Sequence, residues 1–196
     1  VLVYVDASQG WLATQDDSSS ISGTAFVTAT GGTITECNSC KIHTFTGPGS
    51  FVVSQISGVA ANNVVSYVVV GGGGSGGGRY GGGGGAGGYR EVKSPVTPYT
   101  ASPLDGYGTP GNRITLTAGP TSYPVEVGGG GPQPATDTNP TPCGNAMGSK
   151  GTNSNFSTIV AAGGGGGAGQ GNASAPVQNG GSGGGASYNL LNVACR

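Results

Sequence analysis

Between Gly71 and Gly88 the chain reads GGGGSGGG, then Arg79-Tyr80, then GGGGGAGG. No other stretch restricts the fold as much. Glycine loses more conformational entropy on folding than any other residue, so such a tract is a flexible linker unless packing holds it. Three features point to packing. The tract is nearly free of serine. A β-branched run from Val64 (VVSYVVV) leads in, and an aromatic-led run from Tyr89 (YREV) leads out. A non-glycine pair divides the tract into two legs of equal length, Gly71–Gly78 and Gly81–Gly88.

Related patterns follow twice. Tyr123–Val127 (YPVEV) enters Gly128–Gly131, and after a polar segment the chain returns through Gly148–Asn155 (GSKGTNSN), the poorest match. Phe156 (FSTIV) then enters Gly163–Gly171, a polar segment follows, and GGSGGGAS leads to Tyr188 (YNLLNV). The expected arrangement is three out-and-back excursions from one sheet. Without side chains, extended helices of three residues per turn pack side by side, bonding backbone to backbone. A leg of this kind reaches roughly 25 Å at about 3.1 Å per residue. Glycine does not fall at every third position, which excludes collagen.

Composition fits a fold held largely by backbone hydrogen bonds. Val, Leu, Ile and Phe together fall under the fifth expected of globular domains, yet the formal charge is only −1, which argues against a disordered tail. Seven Lys and Arg are too few for a nucleic-acid partner, and no apolar run is long enough for membrane insertion. No signal peptide is visible, and the chain opens inside an apparent strand, as a fragment or processed product would. Nowhere does a helical period run free of Gly and Pro, so almost no α-helix is expected.

Taken in order, Val1–Val5 reads as a strand, Asp16–Gly23 as a serine-rich loop and Thr24–Thr30 as a strand. Thr33–Glu36 and Lys41–Phe45 flank a two-residue turn as two arms, and Phe51–Val53 continues beyond Gly47-Pro48-Gly49. Val64–Val70 is apolar on both faces and is placed centrally in the sheet. Ile114–Thr117 and Tyr123–Val127 read as a hairpin, with Pro124 calling for an edge strand or a strand start. Residues 1–40 form an N-terminal β segment and linker, and 41–196 a glycine-rich β domain. Cys37, Cys40, Cys143 and Cys195 are disulfide candidates. Cys37 and Cys40 face each other across the turn, which would leave Cys143 with Cys195; buried thiols are the other reading.

Matches to G-x-G-x-x-G carry no information at this glycine content, and no helix follows them. Cys37, Cys40 and His43 give C-x₂-C-x₂-H, but the second spacing is short and no fourth zinc ligand is near, so a strand histidine is preferred. The carboxylates are scattered, and no acid, base and nucleophile come together. The expectation is a protein without catalysis, metal or cofactor. The leg tips are the remaining candidates: Arg79 and Tyr80; Gln133, Asp137 and Asn139 within Pro132–Met147; and Asn172, Gln178 and Asn179 within Asn172–Asn179. Such side chains suit recognition of polar groups such as sugars; solvated turns are the plain alternative.

Several pieces occur in a telling order: KIHTFTGPGSF from Lys41, VVSYVVVGGGGSGGG from Val64, GGGGAGGYREV from Gly82, YPVEVGGGG from Tyr123 and GTNSNFSTIVAAGGGGGAG from Gly151. Together they resemble the glycine-rich domain of bacteriophage tail-fibre and related virion proteins. VLVYVDASQGW from Val1 resembles a strand module that precedes such domains in marine phage structural proteins. The resemblance implies an all-β fold, a jelly-roll-like β-sandwich carrying a packed bundle of polyglycine II helices, with receptor-binding loops at the far end of the legs. It implies a virion location, other virion proteins as partners, a homo-oligomer such as a trimer, and a host glycan or outer-membrane protein as ligand. The alternatives are a purely structural virion element, either a capsid decoration or a fibre cap, and a non-viral secreted filament or cell-surface protein.

Overall fold

The computed structural model describes residues 2–6, 10–13, 26–37, 40–78, 81–134, 146–169 and 178–187. Its regular elements, in chain order, are β1 (Leu2–Asp6), β2 (Gly10–Ala13), β3 (Thr28–Thr30), β4 (Thr33–Cys37), β5 (Cys40–Thr44), β6 (Gly49–Gln55), β7 (Tyr67–Val70), β8 (Tyr89–Val92), β9 (Thr121–Glu126), β10 (Ser154–Phe156) and β11 (Ile159–Ala161). Short 3₁₀ turns at Ala60–Asn63 and Pro110–Asn112 are the helical segments among the described residues. The fold is all-β, and its strand pairs are antiparallel.

Five strands form one sheet in the order β11-β10-β9-β6-β3, and β1–β2, β4–β5 and β7–β8 are two-stranded ribbons. Alternation sets the buried face. Phe51 and Val53 on β6 and Tyr123 and Val125 on β9 turn inward, with exposed Pro124 between the latter two. Phe156 lies at the centre, its ring 5.8 Å from Tyr67, 6.1 Å from Phe51 and 6.5 Å from Tyr123. Tyr67 and Val92 bring the β7–β8 ribbon onto this core, and Ile114 and Leu116 close it. Each such side chain contributes roughly 1.5–3 kcal/mol through burial.

Three strand assignments differ from the sequence reading. Val64–Val70 is not one central strand: Val64 bridges Thr115, and only Tyr67–Val70 pairs, with β8. Ile114–Thr117 is not the hairpin partner of β9, because Val65 N donates to Ile114 O and Leu116 N to Asn63 O instead. Pro124 sits in an interior strand. Its carbonyl accepts from Ser157 N at 2.8 Å, so its missing N–H lies on the β10 side, where the β10 ladder covers only Val125 and Glu126. The proline therefore removes no ladder bond. The 40/41 division expected from the sequence falls at β5, and β3 from the earlier segment completes the main sheet beside β6.

Beyond the sheet the glycine-rich segments are bonded to one another at every third residue. The amides of Gly71, Gly74 and Gly77 (leg 1, 71–78) donate to the carbonyls of Gly88, Gly85 and Gly82 (leg 2, 81–88). Those of Gly72, Ser75 and Gly78 donate to Thr152, Ser149 and Ala146 (leg 4, 146–152). Gly82, Gly85 and Gly88 donate to Ala168, Gly165 and Ala162 (leg 5, 162–169). Gly131 on leg 3 (128–134) donates to Gly73, and Gly185 on leg 6 (181–187) donates to Gly83. Legs 3, 1 and 2 thus form one layer and legs 4, 5 and 6 a second, facing it.

Space, not backbone conformation, demands the glycines here. Among the described glycines only Gly31, Gly32 and Gly119 have positive φ, so every leg glycine has a backbone other residues can adopt. A Cβ at Gly74 would lie 2.1 Å from Gly165 O, and at Gly164 it would lie 2.0 Å from Gly85 O. On the outer side of legs 2 and 3, Gly83 and Gly129 meet nothing within 4 Å.

Candidate binding surface at the far end of the glycine legs

Legs 1, 2, 3, 4 and 5 start or finish on strands at one end: β7, β8, β9, β10 and β11. At the opposite end the leg ends are bonded to one another. Gly77 N donates to Gly82 O at 2.8 Å, Gly78 N to Ala146 O at 2.7 Å, Gly82 N to Ala168 O at 2.8 Å, and Ala168 N to Gly185 O at 3.0 Å. The stubs of the first two excursions, the outward leg of the third and the end of leg 6 therefore share one level.

The third excursion does not return along GGSGGGAS. Gly181 bonds Gly163, Gly165 bonds Ser182 and Ala168 bonds Gly185, so leg 6 runs parallel to leg 5 and points away from the sheet again. The return is made before Gly181. Gln178 lies beside mid-leg, with its carbonyl where a Cβ of Gly165 would be and its amide donating to Gly148 O at 3.3 Å. Thus Gln178, expected at the tip, is a half-buried part of the bundle, and Asn179 follows it exposed. Gln133 is exposed on the outer part of leg 3. Arg79, Tyr80, Asp137, Asn139, Asn172, Cys143 and Cys195 lie outside the described residues.

Sequence reasoning missed Ser75. Its hydroxyl donates to Pro132 O at 2.8 Å and accepts from Ser149 N at 2.8 Å, fastening leg 1 to legs 3 and 4 near the far end. The signal was present, since Ser75 is the one break within GGGGSGGG. At the other end, Asn153 Oδ1 accepts from Gly163 N at 2.9 Å and Ser154 Oγ from Gly128 N at 2.9 Å, satisfying the amides that open legs 5 and 3.

The polar cluster around Glu91 was also missed. Tyr89 and Glu91 share a face of β8. Tyr89 Oη donates to Glu91 Oε2 at 3.0 Å, and Ser102 donates both its N–H and its hydroxyl to the same carboxylate. The Ser102 and Tyr89 bonds hold the Glu91 carboxyl below its usual range against the opposing effect of burial. Burial and the neighbouring Glu91 charge push Tyr99 up to about 12. With its oxygens occupied by donors, Glu91 acts as an anchor for the 93–113 loop. Asp105 Oδ1 accepts from Lys93 N and Tyr107 N in the same loop, and Arg113 lies 4.3 Å over the Tyr107 ring.

Cys37 and Cys40 are register partners across the β4–β5 turn. His43 follows Cys40 by three residues in the same strand, so their side chains leave opposite faces and do not converge on one ion. His43 Nδ1 instead lies 2.8 Å from Gly31 O, and the ring stands edge-on to Phe51 at 5.0 Å.

The architecture is that of an all-β protein carrying a slab of hydrogen-bonded glycine legs. A family profile described as a glycine-rich domain matches residues 44–194, and the chain belongs to that family. Neither a curated protein nor a solved structure matches it.

Proposed function

We propose that this chain is a bacteriophage virion surface protein, a tail-fibre or appendage domain that binds the host cell surface through the loops at its leg tips. The observation that carries the reading is the meeting of the leg ends opposite the sheet, bonded in series through Gly78–Ala146, Gly82–Ala168 and Ala168–Gly185. On this reading Arg79-Tyr80 and the segments 135–145 and 170–177, which follow those leg ends in the sequence, supply the contact. The three-residue bond period supports the finer fold, a bundle of polyglycine II helices. The five-stranded sheet and the β7–β8 ribbon, meeting at Phe156 and Tyr67, would be the two layers of a jelly-roll-like sandwich beneath it.

The ligand is a host glycan or an outer-membrane protein loop. Tyrosine and arginine supply contact area with a polar handle, and Asn and Gln supply donors and acceptors together. One site binds a sugar on the order of millimolar, about 4 kcal/mol. A trimer held among other virion proteins, with many copies on one particle, raises this by roughly 10²–10⁴ through avidity. The test is host adsorption by particles carrying Arg79→Ala with Tyr80→Ala, and separately by particles in which Asn172 to Val177 are replaced by glycines. The second change stops short of Gln178, leaving its bond to leg 4 intact. Each variant should fold and adsorb poorly. Wild-type adsorption by both would discard the adhesin reading in favour of a purely structural virion element.

A further inference from the structure

A cleft of about 300 Å³ opens beside β3, between the Gly31–Thr33 turn and the Thr44–Ser50 loop. Its aromatic wall is Phe45, half-buried and held in a collar of glycine backbone. Added Cβ atoms at Gly31, Gly32 and Gly49 would come within 3.2 to 3.3 Å of the Phe45 ring, and at Gly31 also 2.0 Å from Ser50 O. Two of these glycines hold φ of +111° and +62°, conformations that side chains rarely adopt. The collar therefore fixes the ring at the backbone level, while Thr33, Thr44, Thr46 and Ser50 supply hydroxyls around it. Thr33 and Thr44 are register partners across β4 and β5, so they stand on one face. Among the described residues, no charged side chain lines the cleft.

We infer that this cleft is a saccharide subsite for a neutral pyranose, separate from the leg tips. An immobile aromatic wall accepts the C–H face of a sugar ring at little entropic cost. Hydroxyls that both donate and accept match sugar hydroxyls of either polarity. The volume is that of a small-ligand pocket, and the described lining, which carries no charge, gives phosphates, sialic acids and other anions nothing to pair with. The inference does not depend on the tip reading, because the described lining of the cleft comes from residues 31–33 and 44–50 and includes no leg residue.

The experiment is an NMR titration of the isotopically labelled chain with methyl glycosides of glucose, galactose and N-acetylglucosamine, with glucose 6-phosphate as the charged comparison. A neutral glycoside should shift the amide signals of Thr46, Gly47 and Ser50 with a midpoint on the order of millimolar, and glucose 6-phosphate should shift them less. A side chain at Gly47 meets nothing within 4 Å, so Gly47→Trp should obstruct the cleft without raising or lowering thermal stability. It should abolish the shifts, and the milder Ser50→Ala should weaken them several-fold. Arg79→Ala with Tyr80→Ala should leave them unchanged. Absence of shifts with all three neutral glycosides, or shifts unaffected by both cleft variants, overturns the inference.

Discussion

Ala168 donates its backbone N–H to the carbonyl of Gly185 at 3.0 Å, and three residues earlier Gly165 does the same to Ser182. Both partner numbers rise together, so these legs are parallel, whereas leg 2 is antiparallel to both. Pairing of this kind tolerates either direction, because successive N–H groups of one leg bond different neighbours, as Gly71 bonds leg 2 and Gly72 leg 4. A sheet edge would have imposed one pattern of bonds for each direction. The parallel leg places Ser187 at the end of the slab away from the sheet.

The slab predicts opposite outcomes at adjacent glycines. A Cβ at Gly84 would lie 2.0 Å from Gly74 O, while one at Gly83 meets nothing within 4 Å. Gly84→Val should therefore cost about 3 kcal/mol or more, the upper range of overpacking, because backbone cannot rotate aside as a side chain can. For a chain of this size that lowers Tm by roughly 6–12 °C. Gly83→Ala should be neutral or raise stability by about 0.4–1 kcal/mol through the unfolded state. Thermal unfolding of the two variants checks this, and equal loss in both would contradict the packing order.

Ser75→Ala removes the hydroxyl that joins legs 3 and 4 to leg 1. Among the described residues the Ser149 amide has no other partner. A loss of about 1–2 kcal/mol is expected, with faster hydrogen exchange at Ser149. Unaltered exchange there would show that the bond contributes nothing.

Phe156→Ala should be the most damaging core change. It removes ring contacts to Phe51, Tyr67 and Tyr123 at once. The expected cost is about 3–5 kcal/mol, read from the denaturant midpoint. Phe156→Leu should recover more than half of that loss.

Glu91 and Tyr99 give the loop a stability profile limited on both sides. The Glu91 carboxyl is held below its ordinary 4.5, so its contribution is full above that value and is lost as pH falls through the lowered folded-state value. Tyr99 is pushed from 10.0 up to about 12, so its contribution is full below 10.0 and is lost as pH rises toward 12. Exchange at the Ser102 amide should quicken at the acid end in the parent chain. In Glu91→Gln this acid step should vanish and exchange should be fast throughout. An acid step that survives in Glu91→Gln would assign it to another carboxylate.

The sequence made some pieces legible and hid others for stated reasons. Strand alternation gave β6 and β9, whose buried Phe51, Val53, Tyr123 and Val125 are spaced by two. The near-symmetry of the two halves of Gly71–Gly88 gave legs 1 and 2 and their antiparallel pairing. The run Val64–Val70 misled, because apolarity on both faces does not say which neighbour a strand takes. Val64 is bonded across to Thr115, and Tyr67 onward to β8. Pro124 misled because the edge rule assumes a full ladder on both sides, and β10 is too short to need the missing N–H. At the candidate surface, Gln133 is exposed on leg 3, while Gln178 is drawn into the slab by its bond to Gly148.

The sequence by itself determined that this chain is all-β, poor in core residues, and dependent on glycine tracts flanked by strands. Composition and periodicity are local properties, and they suffice for that much. Only the tertiary structure decided which leg lies beside which, and that leg 6 runs outward. A glycine tract has no side chains to encode a partner or a direction. The choice is made by the strands that anchor the legs and by isolated polar groups such as Ser75, Asn153 and Ser154, whose bonds to distant backbone fix the register.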